Sequence, residues 1–191
     1  MKFSSRDKNL IFATEPDKSI FGRIGTELGV ASLGFFGLTG EQKNATGIAG
    51  TKTGSRDTDK LILGFDISGD YNDEIYYFVQ GLWNRWDGFL NPNRNFDWFG
   101  GFAGIDYIFN DFWGFSLLYN FADANDFDGT KTVFEGIDIN TVTATASYYF
   151  NRNVKAVLEG NIDLMKKDND TDFVGHETNE SYILLGIDAA F

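Results

Sequence analysis

From about residue 58 onward, apolar and polar side chains alternate at every second position, the period of a strand whose two faces meet different surroundings. In Leu61 to Tyr71, one face carries Leu61, Leu63, Phe65, Ile67, Gly69 and Tyr71, and the other Ile62, Gly64, Asp66, Ser68 and Asp70. Phe112 to Phe121 sets Trp113, Phe115, Leu117, Tyr119 and Phe121 against Gly114, Ser116, Leu118 and Asn120. Val154 to Met165 sets Val154, Ala156, Leu158, Gly160, Ile162 and Leu164 against Lys155, Val157, Glu159, Asn161, Asp163 and Met165. Two segments are less regular. Phe96 to Phe109 groups Phe99, Ala103, Ile105, Tyr107 and Phe109, but Trp98 and Phe102 share the opposite face with Asp106. Val133 to Phe150 changes phase near Asn140, as at a bulge or where a strand leaves the layer it crosses.

The connections between these segments fall into two classes that alternate along the chain. Asn72-Asp73-Glu74, Asn110-Asp111 and Asn151-Arg152-Asn153 are short and polar. Asn44 to Asp59, Asn91 to Asn95, Ala124 to Thr132 and Lys167 to Asn179 are mostly longer and rich in Asp, Asn, Gly and Thr. An up-and-down meander produces this rhythm when short turns gather at one end and long loops at the other. Segments of about 10 residues are what a tilted strand needs to cross a bilayer core. The N-terminal third admits two readings. With Ile20 to Leu38 as one long strand there are about eight strands, and the N-terminus lies on the short-turn side. With a turn at Gly29 to Ser32 there are about nine, and it lies on the long-loop side. An even count fits a complete small barrel, an odd one a fragment of a larger barrel.

Composition agrees with strands: 17% of the 191 residues are aromatic, with 20 Phe and 22 Gly but 2 Pro. A mean hydropathy of -0.24 is what alternating strands average to, and it excludes no barrel. No run approaches the roughly 20 apolar residues of a membrane helix. The net charge of -12 leaves no basic stripe for nucleic acid. With no Cys, and His176 as the single histidine, disulfides, thiolate sites and His-rich metal sites are excluded. Met1 to Lys8 has no apolar core and is not a signal peptide, so an exported protein with this start is expected to be a mature chain or to begin inside a longer gene.

The last residues, Tyr182-Ile183-Leu184-Leu185-Gly186-Ile187-Asp188-Ala189-Ala190-Phe191, resemble the C-terminal strand signal of bacterial outer-membrane proteins. In that signal a terminal aromatic follows apolar residues at every second position; here Ile183, Leu185, Ile187, Ala189 and Phe191 fill the pattern. Across about residues 58–191, the rhythm of strands and turns is similar to the C-terminal half of a porin. Residues 1–19 show no such likeness and read as an N-terminal extension or loop remnant, with 20–191 as the barrel. The resemblance implies a location in the bacterial outer membrane and contact with its lipid and lipopolysaccharide. It also implies recognition of the last strand by the barrel-assembly machinery. Aromatics crowding the strand ends, as in Tyr148-Tyr149-Phe150, Phe109 with Phe112-Trp113, and Trp83 with Trp86, suit interfacial girdles.

If the apolar faces meet lipid, the opposite faces line a lumen. The lumen-lining candidates are Asp66, Asp70, Gln80, Asn84, Asp106, Asn120, Lys155, Glu159, Asn161, Asp163 and Asp188, with Arg23 and Glu27 beside them. Carboxylates outnumber cations there, which favours cation passage through an open lumen. In a closed eight-stranded barrel the same groups would instead pair across a filled interior, and inward Tyr76, Phe78, Trp98 and Phe102 would narrow it. Two acidic runs, Asp123, Asn125, Asp126 and Asp128, then Asp168, Asn169, Asp170 and Asp172, lack EF-hand spacing and read as solvated loops. Asn44-Ala45-Thr46 and Asn179-Glu180-Ser181 match the glycosylation sequon by a pattern too short to carry weight. No nucleophile-and-base constellation is present, and no cofactor is expected.

These observations give an all-β, antiparallel up-and-down transmembrane barrel of about eight strands, or nine if part of a larger one. The leading expectation is a porin-like passive pore, with oligomerisation compatible with it. The rivals are a closed eight-stranded barrel acting through its loops, and a soluble ligand-binding barrel.

Overall fold

The computed structural model of this chain describes residues 19–42, 57–91, 93–127, 138–164 and 181–189. Among the described residues, nine strands lie in chain order in one sheet: β1 (Ser19–Leu28), β2 (Ala31–Gln42), β3 (Thr58–Asn72), β4 (Ile75–Asp87), β5 (Asn95–Ile108), β6 (Trp113–Asp123), β7 (Ile139–Asn151), β8 (Val154–Asp163) and β9 (Tyr182–Ala189). Every neighbouring pair is antiparallel. Among the described residues the one helical piece is a 3₁₀ turn, Asn125–Phe127, and no helix is long and apolar enough to cross a membrane.

The eight-strand count is corrected to nine. Ile20 to Leu38 is not one strand, because the chain reverses at Gly29 and Val30. Gly29 has φ 63°, the left-handed backbone that two-residue hairpin loops demand at their first central position and that glycine adopts without a Cβ clash. The register then runs Leu28 opposite Ala31 to Ser19 opposite Gly40. The start of β1 therefore lies at the long-loop end of the sheet.

The other short turns share one device. Asn72 accepts backbone N–H bonds from Glu74 and Ile75 at 2.9 and 2.8 Å, and Asn110 from Phe112 and Trp113, both at 2.9 Å. Asn151 accepts one from Asn153 at 2.8 Å. In each, the carboxamide oxygen stands in for a backbone carbonyl and reverses the chain, an Asx turn. Register shifts between Asp70 and Asn72, and between Tyr149 and Asn151, set bulges beside two of these turns. The phase change read near Asn140 is the entry of β7, which begins at Ile139; Val133 to Gly136 and Ile137 lie outside the described residues.

The pairing register sorts every strand residue onto one of two faces. One row across the first face is Ile24, Phe35, Phe65, Gly81, Gly101 and Phe121. This face continues through Leu117, Ala144, Gly160 and Ile183 and is apolar over most of its height, with its polar residues gathered at the long-loop end. It is also the open one: Phe35 is 64% exposed and Leu117 50%. The second face carries most of the polar strand residues, and the buried polar side chains Gln42, Thr58, Asn84 and Asn161 all belong to it. Such a distribution is the reverse of a water-soluble sheet, which hides its apolar face.

The buried apolar side chains among the described residues do not lie between layers. Phe89, Phe96, Ala124 and Phe127 form a small knot at the long-loop end, with Trp86, Leu90 and Trp98 packed against it. Phe96 and Phe127 stack at 5.1 Å, and Phe89 meets Trp86 edge-on at 4.8 Å. The 3₁₀ turn after β6 thus folds back over the polar face of β4 and β5.

Candidate functional site

All eleven residues expected to line a lumen fall on the polar face. Asp66, Gln80, Phe102, Asn120, Thr141 and Asp163 make one row across six strands. Asp70, Tyr76, Asp106, Ser116, Thr145 and Glu159 make the next but one, toward the short turns. Asn84 lies opposite Trp98, Asn161 opposite Thr143, and Lys155 opposite Asp188. Arg23 and Glu27 share the face, opposite Phe36 and Ser32.

Contacts on this face divide it into two halves. Over β1 to β3, Arg23 reaches across β2 to pair with Asp66 at 2.6 Å. The intervening residue is Gly34, where a Cβ would run into both charged groups, so glycine makes room for the bridge. Lys60 donates to Gln42 at 2.6 Å and sits 5.3 Å from the Trp86 ring. Over β6 to β9 runs a ladder of hydroxyls, amides and carboxylates. Asn120 donates to Thr141 at 3.4 Å, Thr143 to Asn161 at 2.8 Å, and Thr145 to Glu159 at 3.3 Å. Tyr182 donates to the other Glu159 oxygen at 2.8 Å, and Lys155 pairs with Asp188 at 3.4 Å.

Between these halves lies a lane of rings. Tyr76, Phe78 and Phe102 lie on the polar face, each neighbouring pair 5.9 Å apart, and Trp98 meets Trp86 at 5.2 Å nearer the loops. Asp70 and Asp106 flank Tyr76 and make no ion pair among the described residues. The face is therefore acidic with an aromatic strip, and its described cations are engaged: Arg23 by Asp66, Lys155 by Asp188, Lys60 by Gln42.

The apolar face ends in polar groups at one rim and in rings at the other. At the long-loop rim Arg85 binds Asp97 through two parallel bonds of 2.9 Å, with Asp123 and Asn140 on the same side. At the short-turn rim, Trp113 contacts Tyr148 at 5.0 Å, Tyr148 contacts Phe150 at 5.1 Å, and Phe112 stacks on Tyr148 at 6.3 Å. Ile183, Leu185, Ile187 and Ala189 all sit on the apolar face of β9; Phe191 lies outside the described residues.

Of the first acidic loop run, Asp126 has a structural task. It accepts from Arg94 at 3.1 Å and from the Asp97 backbone N–H at 2.8 Å, tying the 3₁₀ turn to β5. Asp128 and the whole second run lie outside the described residues, as do both sequon asparagines and His176. Among the described residues no group of His, Cys, Asp or Glu is placed to hold a metal ion. The Arg85–Asp97 pair, the threonine ladder and the aromatic knot were not among the expected site residues. Alternation alone signals the ladder, since Thr141, Thr143 and Thr145 repeat at every second position. No protein-family model matches this chain, and no curated protein matches it in sequence.

Proposed function

We propose that this sheet is the wall of a porin-like barrel of the bacterial outer membrane, a passive and cation-preferring path for small hydrophilic solutes. One observation carries the reading: large apolar side chains such as Phe35, Leu63 and Leu117 stand exposed on one face, while the buried polar side chains Gln42, Thr58, Asn84 and Asn161 lie on the other. Such a sheet is at ease only where lipid lies outside and water or polar side chains lie inside. The ring-bearing rim, the polar opposite rim and the split into short turns and long loops support it. Unneutralised Asp70 and Asp106 on the inner face favour cations. The outer face touches lipid and lipopolysaccharide, and the apolar face of β9 is what the assembly machinery would read. A soluble ligand-binding barrel would bury the face of Phe35, Leu63 and Leu117 instead, and the nine strands among the described residues favour a wider wall over a closed eight-stranded barrel.

Tryptophan quenching tests the assignment of the two faces. The chain holds 4 Trp, of which Trp83 and Trp113 lie on the apolar face and Trp86 and Trp98 on the polar one. In single-Trp variants inserted into vesicles of acyl-brominated lipid, Trp83 and Trp113 fluorescence should be quenched and that of Trp86 and Trp98 spared. Equal quenching of all four, or a chain that stays soluble and ignores lipid, would sink the proposal.

A further inference from the structure

We infer that β1 and β9 are seams, each paired in the working protein with a further antiparallel strand, and that an odd number of additional strands completes the wall. The inference rests on the barrel reading above for one point: a wall in hydrocarbon leaves no backbone edge unpaired.

The edges are plain in the topology. Among the described residues, β1 pairs only with β2, β9 only with β8, and the two edge strands make no contact with each other. Each therefore presents a row of outward N–H and C=O groups, one set at every second residue. Neither edge is defended against pairing. The bulges belong to β3 and β7, not to the edges, and neither β1 nor β9 contains a proline or a lysine. Their side chains are open as well, with Ile24 74% exposed and Ile183 83%.

Direction then decides what can fill the gap. Every neighbouring pair in this meander is antiparallel, so all odd-numbered strands point the same way and β1 runs parallel to β9. Joining β1 to β9 directly would place one parallel pair in an otherwise antiparallel sheet. A second copy inserted with its loops on the same side would do so twice, because β9 of one copy would lie beside β1 of the other. One, three or any odd number of intervening strands restores antiparallel pairing at both seams. Those strands must repeat the same alternation. Toward lipid they meet Ile20, Ile24 and Leu28 on one side and Ile183, Leu185 and Ile187 on the other. Toward the interior they meet Arg23 and Glu27, and Asp188.

Amide hydrogen exchange on the refolded chain in lipid micelles reads the seams directly. The amides of β2 to β8 should be protected throughout. In β1 and β9 every second amide should exchange about 100-fold faster or more, since edge groups facing away from the sheet have no partner. Uniform protection across β1 and β9 would overturn the inference, by parallel self-closure if the particle is monomeric and by pairing of copies if light scattering gives a dimer. A second readout covers a chain that refolds poorly. Migration as an unfolded chain in SDS without heating is expected of a sheet with two open seams, whereas a compact, SDS-resistant monomer overturns it. Failure of the barrel reading would show separately, as loss of the Trp83 and Trp113 quenching with the seam pattern unchanged.

Discussion

Gly29 illustrates how a single backbone angle sets the strand count. Its φ of 63° closes a two-residue hairpin between two apolar runs that, on side-chain pattern alone, join as readily into one strand. Gly29→Val should cost about 1–2 kcal/mol or more in urea unfolding from micelles, because a β-branched residue resists the left-handed region. Gly34 is constrained by space instead. Gly34→Leu should break the Arg23–Asp66 pair that crosses it, and the loss should match that of Asp66→Asn, with little added in the double variant. A fully additive double variant would show that the bridge does not depend on the room Gly34 leaves. The short-turn asparagines were visible as turn residues in the sequence, and their carboxamides do what that residue type does locally. Asn110→Ala removes two backbone partners and should lower stability by about 1 kcal/mol by the same measurement.

Among the elements, the strands were legible and the loops were not. Alternation marks a strand because its two faces meet different surroundings, and the rows from Asp66 to Asp163 and from Asp70 to Glu159 obey it. The polar-face rings Trp98 and Phe102 look like breaks in the pattern, yet the strand is regular. They belong to the aromatic lane, whose composition periodicity does not specify. The knot of Phe89, Phe96 and Phe127 had no signal, because its members lie in or beside connections and meet only when the 3₁₀ turn folds back. Phe127→Ala should leave the strands intact but free this turn. The expected result is a local rise in amide exchange over residues 124–127 and a loss of about 3 kcal/mol if the knot unfolds with the sheet. Unchanged exchange there would mean that the Asp126 contacts to Arg94 and Asp97 hold the turn by themselves.

For the whole molecule, the pore reading proposed above gives the sign of the polar face a functional consequence. Asp70→Asn with Asp106→Asn removes two carboxylates that no described cation neutralises. In single-channel recordings on the completed barrel, the cation-to-anion permeability ratio should fall by roughly half, without loss of folding. Asp66→Asn removes one carboxylate and leaves the Arg23 charge uncompensated, so it should lower the ratio as well, and unlike the other two changes it should cost stability. An Asp66→Asn variant as stable as the parent in urea unfolding would mean that the Arg23 pair contributes nothing to folding.

The two-residue period and the alternating turn chemistry by themselves determined that this chain forms antiparallel strands, and which residues share a face, because both follow from local backbone geometry. They also placed all eleven candidate residues on one face. The exposure of the two faces, the count of nine, the Arg23–Asp66 bridge over Gly34 and the aromatic knot were decided only in three dimensions. Each depends on which distant segments lie side by side, and a local pattern does not encode that. The open edges are of the same kind, since whether a strand has a second neighbour is a property of the assembled sheet.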